Sequence, residues 1–338
     1  MLEAKPVLEA KPLLEAKPLP APLEGRLAVP AIAAPMFLVS GPDLVAETCR
    51  GGILGTFPAL NARSTELYGA WVDDIAQRNA RAGAAAPFGV NLIVHKTNAR
   101  LQADLAVTVE KKVPLVITSL GAVREVVEAV HSYGGLVFHD VISRRHAEKA
   151  MEAGVDGIIA VCAGAGGHAG TLSPFALIGE IRRFFAGTLV LSGAISTGAH
   201  IAAAQVMGAD LAYLGTRFIA TKESLAPQEF KEMMLSSAAE DVLYTDAVSG
   251  VNANFLKPSL IRAGLDPANL KKHGGLDMAN EAKAWRDVWS AGHGVGAIAD
   301  IPAAAELCAR LTREYDDALA TAAARITMRR AREMAAAS

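Results

Sequence analysis

The stretch Gly157-Ile158-Ile159-Ala160-Val161-Cys162-Ala163-Gly164-Ala165-Gly166-Gly167-His168-Ala169-Gly170-Thr171-Leu172-Ser173-Pro174 decides between the two folds that the rest of the chain allows. Its apolar start, Gly157 to Cys162, reads as a buried strand, after which glycines surround a lone histidine. Gly164-Ala165-Gly166 followed by Ala169 imitates the GxGxxA fingerprint of a dinucleotide-binding, doubly wound sheet. That fingerprint requires a helix opening at the glycines, and Thr171-Leu172-Ser173-Pro174 interrupts one before it is established. The motif also follows the sixth strand rather than the first. The doubly wound reading is therefore rejected.

Outward from this stretch, short apolar runs alternate with amphipathic segments. Ala31 to Phe37, Gly52 to Phe57, Phe88 to Val94, Leu115 to Ser119 and Leu136 to Val141 precede it as strands; Leu189 to Ser192 and Leu211 to Leu214 follow. Helical stretches such as Ser64 to Arg81, Asn98 to Lys111, Ala122 to Ser132 and Ser143 to Ala153 lie between them. Strands apolar on both faces need cover on both sides, and eight βα units close naturally into a (β/α)8 TIM barrel. After the eighth strand the pattern changes: Pro227 to Glu240 is helical, Val242 to Phe255 extended and polar, Lys257 to Asn280 turn-rich. This predicts a small inserted α-rich domain or lid, with helices from Ala303 onward returning to the barrel. The expected division is a tail at 1–26, a barrel at 27–225, an insert at 226–285 and returning helices at 286–338. In the tail, Leu-Glu-Ala-Lys-Pro recurs at Leu2 to Pro6, Leu8 to Pro12 and Leu14 to Pro18. Proline every six residues excludes a helix there, so the tail reads as an extended spacer without chemistry.

Composition narrows the function classes. Of the 338 residues 51% are hydrophobic and mean hydropathy is +0.27, yet no run is long enough to span a bilayer. The net charge of -2 and the scarcity of Lys/Arg clusters apart from Arg329-Arg330 and Arg332 give no footprint for nucleic acid. Three widely separated cysteines, Cys49, Cys162 and Cys308, support neither a disulfide framework nor a metal site. With no signal-peptide pattern at the amino terminus, the expected compartment is the cytoplasm. The expected partner is a small molecule, with no membrane or nucleic acid involved and a homo-oligomer allowed.

Glycines on both sides of His168 present its imidazole to a site, and a histidine near its ordinary pKa of about 6.5 accepts protons at neutral pH. In a barrel, chemistry collects at the C-terminal strand ends, and the loops after strands seven and eight commonly cradle phosphate. Here they read Ser192-Gly193-Ala194-Ile195 and Gly215-Thr216-Arg217-Phe218, with small residues that let backbone N–H groups approach phosphate oxygens and hydroxyls that add donors.

With Ala34-Pro35-Met36 at the first strand, Gly89-Val90-Asn91 at the third, Gly166-Gly167-His168-Ala169-Gly170 after the sixth and these two tetrapeptides, the chain resembles the nitronate monooxygenase family from about Ala33 to Asp300. That family, formerly called 2-nitropropane dioxygenases, comprises FMN-dependent barrels related to flavin enoyl-ACP reductases. The resemblance implies that Pro35, Met36 and Asn91 border the isoalloxazine ring of FMN. It implies that Ser192, Gly193, Ala194, Gly215 and Thr216 hold the phosphate, and that Gly166 and Gly167 line the flavin beside His168, the family's catalytic base. Asp140 stands where some members carry a lysine on the flavin, and is implied as a weaker contact; Val161 takes a position that is acidic in some relatives. His139 is a second titratable candidate, but strand alternation points it away from Asp140. Asn252, Asn254 and His293 face the site from the insert and the returning chain, as contacts to substrate or phosphate or as plain turn residues.

The resemblance implies oxidation of nitronates, or of their parent nitroalkanes, by FMN and O2 to a carbonyl compound and nitrite. Two alternatives stay open. One is an NAD(P)H-dependent flavin reductase acting on quinones or enoyl thioesters; the other is a barrel that binds FMN or a phosphorylated metabolite without catalysis.

Overall fold

The computed structural model describes residues 17–121, 124–270 and 285–337. Most of the tail repeat, the first two residues of the helix predicted from Ala122, and the last ten residues of the turn-rich stretch ending at Asn280 lie outside the described residues. Eight parallel strands, β1 (Ala31–Ala33), β2 (Leu54–Pro58), β3 (Phe88–Ile93), β4 (Leu115–Ser119), β5 (Leu136–Val141), β6 (Gly157–Val161), β8 (Thr188–Ser192) and β9 (Leu211–Leu214), close into a barrel. The seam is β1 against β9, where Ile32 pairs with Tyr213, while on its other side Ile32 pairs with Leu54 of β2. The missing number, β7 (Gly167–His168), is a two-residue strand inside the glycine-rich loop.

Alternation along each strand sorts the side chains. Inward residues Ile32, Leu54, Leu115, Ile117, Leu136, Phe138, Ile159, Val190 and Leu211 fill the interior. Outward residues such as Val116, Val137, Ile158, Leu189 and Leu191 pack under the helices. Gly157 is required inside the barrel, because a Cβ there would overlap the Phe138 ring. The N-terminal rim is spanned by the chain entering the barrel: Arg26 reaches Ala85 O at 3.2 Å, Ala28 N reaches Gly52 O at 2.8 Å, and Leu23 is fully buried among the interior side chains.

The surrounding helices are α1 (Pro42–Arg50), α2 (Thr65–Ala82), α3 (Leu101–Glu110), α4 (Arg124–His131), α5 (Arg144–Glu152), α6 (Pro174–Arg182) and α7 (Gly198–Val206). Side-chain caps start them where the sequence places Ser64 and Ser143: each hydroxyl accepts from a backbone N–H three residues on, Leu67 and His146. α6 begins at Pro174, where proline suits the first helical turn, so no helix opens at the glycines. The first strand is shorter than predicted. Ala34 N makes a last bond to Leu214 O, Pro35 has no N–H to continue, and the chain turns with Val39 N and Ser40 N both donating to Met36 O.

Beyond the barrel come α8 (Thr216–Ile219), α9 (Gln228–Ser236), β10 (Val242–Thr245), β11 (Ala253–Leu256), α10 (Lys257–Arg262) and the long α11 (Ala304–Ala337). The region predicted as α-rich thus also carries an antiparallel sheet, ordered β10-β11-β7, that reaches into the glycine-rich loop. α11 packs on α7 at Gly198, where a Cβ would overlap Leu311 O and Tyr315 N. Among the described residues no helix is long and apolar enough to cross a membrane, and the three cysteines are buried and free.

His139 faces outward as alternation requires. It is buried, with Nδ1 2.8 Å from Thr118 Oγ1. Burial, reinforced by the neighbouring His146, pushes its pKa down to about 4. The imidazole is neutral in the fold, so the unfolded chain takes up the proton first as pH falls below about 6.5. We expect this group to remove about 3 kcal/mol of stability between pH 6.5 and pH 4. His139→Leu should flatten that part of the profile in denaturant titrations; an unchanged profile would show that His139 is charged in the fold.

Candidate active site

The glycine-rich loop cannot fix its own shape. Gly164 and Gly167 take φ of +84° and +70°, a region open to glycine, and a Cβ at Gly166 would stand 2.9 Å from Gly292 N. The insert supplies the restraint. β11 pairs with β7, Ala253 opposite His168 and Asn254 opposite Gly167. The buried Asn254 side chain donates to Ala165 O at 2.7 Å. Ser290 Oγ accepts from Gly167 N at 2.7 Å and donates to Asn254 O at 2.6 Å. Tyr244 OH donates to Ala169 O at 3.0 Å. The Trp285 ring meets the His168 imidazole edge to face, centroids 5.5 Å apart. His168 is thereby half-buried and aimed, with a neighbour on each side of the loop held by a side chain from elsewhere.

Beside this loop lies a cleft at the ends of β6, β8 and β9. Six residues predicted for cofactor binding line it: Gly166, Ser192, Gly193, Ala194, Gly215 and Thr216. Gly193 has φ +138° and a Cβ there would stand 2.9 Å from Ala163 O; Ala194 follows at φ +55°. Ala194 N donates to Gly164 O at 3.2 Å and so fixes the turn, while the absence of a side chain at Gly193 lets a ligand approach the backbone closely. Thr216 Oγ1 accepts from Gly292 N at 2.8 Å, leaving its own proton to donate. Arg217 does not enter the cleft: its guanidinium is 3% exposed and is bound to Asp300 Oδ1 at 2.6 Å. An anionic group here would be held by backbone and hydroxyl donors, and the residues present fit a phosphate.

Across the mouth, β3, β4 and β5 end in a polar chain. Asn91 Nδ2 donates to Ser119 Oγ at 2.8 Å and to Ile117 O at 3.1 Å, and Ser119 Oγ donates to Asp140 Oδ2 at 2.6 Å. Burial pushes the Asp140 carboxyl up to about 6, against the Ser119 hydrogen bond that lowers it. Its Oδ1 is shielded from solvent and has no hydrogen-bond partner among the described residues, an arrangement that calls for a donor or a retained proton. The Tyr213 phenol, raised by burial and by Asp140, stays protonated.

Met36 lies over the β1–β9 seam, its Sδ 3.7 Å from the position of a Cβ on Gly215, with the half-buried Pro35 beside it. The predicted residues therefore gather in two groups around one mouth, the β6/β8/β9 cleft with Met36 and the Asn91–Asp140 chain. His139 stays outside. Asn252 and His293 are exposed, and Asn254 supports the loop instead of facing a ligand.

Five contributors escaped the sequence reading: Ser119, Asn61, Trp285 and the loop partners Ser290 and Tyr244. Ser119 was signalled by its place two residues beyond Ile117 on the inward face of β4. Asn61 clamps the turn after β1, accepting from Leu38 N at 2.9 Å and donating to Met36 O at 3.0 Å and Ser40 O at 2.8 Å. Neither Asn61 nor Trp285 carried any local signal.

Known proteins match this arrangement. The nitronate monooxygenase family model matches residues 25–314. A nitronate monooxygenase of Paraburkholderia phytofirmans is 29% identical, covering 86% of this chain and 93% of that protein. Among solved structures, nitroalkane oxidase from Streptomyces ansochromogenes superposes with a TM-score of 0.74 at 25% identity, covering 89% of this chain and 99% of that one. FabK from Thermotoga maritima shares the fold, with a TM-score of 0.73 at 22% identity over 88% of this chain and 96% of that one. Matched by the family model over most of its length, this eight-stranded barrel belongs to the nitronate monooxygenase family of oxidoreductases.

Proposed function

We propose that the chain oxidises alkyl nitronates, or the nitroalkanes from which they form, with FMN and O2, releasing a carbonyl compound and nitrite, and that His168 is the base. The observation that carries this reading is the pairing of β7 with β11, which holds an imidazole at the rim of a cleft suited to a phosphate. Family membership implies a flavin; that it is FMN is supported by a cradle for one phosphate and by the absence from this chain of a dinucleotide fingerprint opening a helix.

When bound, the flavin supplies the electron acceptor and the reaction with O2. In this reading Ser192, Gly193, Ala194, Gly215 and Thr216 anchor its phosphate. Pro35, Met36, Gly166 and Gly167 border the ring, and Asn91 and Asp140 meet its polar edge. His168 takes the proton from the carbon that bears the nitro group; with a preformed nitronate that step is absent. The division into barrel, insert and returning helices belongs to the same proposal, the insert serving to set the loop and to cover the substrate.

Replacement of His168 by Asn should lower nitroalkane turnover by about 100-fold or more while nitronate turnover stays within about tenfold, read from oxygen consumption on 2-nitropropane and propyl 2-nitronate. Equal losses on both would remove the base assignment. Gly193→Ala should strip the purified protein of flavin, read as the ratio of flavin to protein absorbance, because a side chain is strained at this φ and crowds Ala163 O. Full occupancy would move the phosphate elsewhere. In anaerobic mixing, a nitronate should bleach the flavin and NADH should not; rapid bleaching by NADH would favour a reductase, and a colourless protein a non-catalytic barrel.

A further inference from the structure

The polar chain at the ends of β3, β4 and β5 has a direction, and that direction leaves one oxygen without a partner. Asn91 Nδ2 gives one hydrogen to Ile117 O at 3.1 Å and the other to Ser119 Oγ at 2.8 Å. A carbonyl oxygen can only accept, so the amide is fixed in this orientation. Ser119 Oγ must then turn its single hydrogen the other way, onto Asp140 Oδ2 at 2.6 Å. Oδ2 is an acceptor here, so a proton held by the carboxyl sits on Oδ1. That oxygen is shielded from solvent and has no hydrogen-bond partner among the described residues.

The surroundings bring no positive charge to hold a carboxylate. Asp140 pairs across to Ile159 of β6, and Ile159, Val161 and Phe138 make the adjoining interior apolar. β4 presents Ser119. β9 presents the Tyr213 phenol, which stays protonated and also lines the cleft. His139 on the same strand faces outward and is pushed down to about 4, and His168 stands on the loop after β6. Burial and the Ser119 hydrogen bond are the two influences on the Asp140 carboxyl, and no cation of the described residues is among them. The residue keeps part of its exposure at the mouth. A flat ring laid over the mouth removes that exposure and so favours the neutral acid further.

We propose that Asp140 meets the flavin as a neutral carboxylic acid, donating the proton on Oδ1 to an acceptor on the cofactor's polar edge, and that this proton is taken from solvent when the cofactor binds. The inference rests on the reading that a flavin fills this mouth, and not on which substrate the enzyme oxidises. It makes Asp140 the group that couples cofactor retention to pH. With its carboxyl at about 6, the empty site is mostly ionised at neutral pH; the loaded site is not. Affinity for the cofactor is therefore greatest at low pH and falls as pH rises above that value.

Two measurements on the purified holoenzyme test this. Infrared spectra at pH 8 of the enzyme and of Asp140→Asn should differ by the carbonyl stretch of one protonated carboxyl group, present only in the unmodified protein. Dilution across pH 7 to 9, with released FMN read by its fluorescence, should give a Kd that rises about tenfold between pH 7 and pH 8. This window lies above the second phosphate pKa of about 6, so the ligand's own phosphate does not set the slope. Asp140→Asn, whose amide donates at every pH, should hold FMN with an affinity that is flat over the window; Asp140→Ala should be as flat and at least about tenfold weaker. His168→Asn should keep the slope, which separates Asp140 from the imidazole at the same mouth. A missing carbonyl band, a slope that survives in Asp140→Asn, or an affinity that rises with pH overturns the inference even where flavin is bound. A colourless protein removes the flavin reading and this inference with it. A flavin-loaded protein that shows the band and the slope but oxidises no nitronate upholds the inference and removes only the proposed reaction.

Discussion

The pairing of Gly167 and His168 with Asn254 and Ala253 is the constraint on which the site depends. A loop with four glycines among seven residues, Gly164 to Gly170, has more conformational freedom to lose than any other segment of this barrel. Nothing local removes that freedom. It is removed by two backbone partners, a buried amide on Ala165 O and a hydroxyl shared between Gly167 N and Asn254 O. The Asn254 amide would be costly to bury without an acceptor, and the loop provides one; the loop would wander without a donor, and Asn254 provides one. Insert and histidine loop are therefore a single structural unit, although 87 positions separate Gly167 from Asn254 and more than 120 separate it from Ser290.

The anion cradle follows a similar economy of charge. Among the described residues no cation lines the cleft, and the nearby arginine of the Gly215-Thr216-Arg217-Phe218 tetrapeptide faces away. Arg217 is buried behind α8, where Asp300 binds it through Oδ1 while binding Arg310 of α11 through Oδ2 at 2.6 Å. Burial lowers the Arg217 pKa, and the Arg310 hydrogen bond leads the effects that hold the Asp300 carboxyl below its ordinary value. The ion cluster thus ties the short helix after β9 to the long final helix from the rear. In front, backbone donors and the Thr216 hydroxyl remain for the ligand. A positioned dipole needs no counter-charge when the site is empty, whereas a free guanidinium in the cleft would.

How much of this was legible in the sequence depended on the range of the interaction. Short runs apolar on both faces gave β4, β5 and β9 at their observed limits, and strand alternation turned His139 outward. Ser64 and Ser143 marked helix starts because a cap is a contact three residues long. Pro174 excluded the doubly wound sheet for an equally local reason. β1 was read too long because Met36 and Phe37 are apolar, and only Pro35 signalled that the ladder had ended. Asn61 is legible only once β1 and β2 lie side by side, since all three of its bonds reach back more than 20 residues. The role of Asn254 was hidden in the same way: its neighbours in sequence are turn residues, while its partner is Ala165, 89 positions away.

The two ends of the barrel differ in a way that assigns function to one of them. At the N-terminal rim Leu23 is fully buried and the incoming chain satisfies backbone groups of Ala85 and Gly52. The C-terminal mouth accumulates unfavourable features. Asp140, raised to about 6, costs about 3 kcal/mol of stability above that pH relative to a carboxyl with its ordinary pKa. Leu38 and Leu120 hold φ of +61° and +66°, and Ala194 holds +55°. A Cβ in the left-handed region costs roughly 1–2 kcal/mol each time. Among the described residues three of the four non-glycine residues at positive φ thus lie at this mouth, and the fourth, Lys112 at +49°, precedes β4 on the opposite rim. A stable barrel can carry these costs because its interior is filled by Ile32, Leu115, Phe138 and their neighbours below the polar layer. Stability therefore resides in the lower layers, and the upper layer is free to be arranged for a ligand.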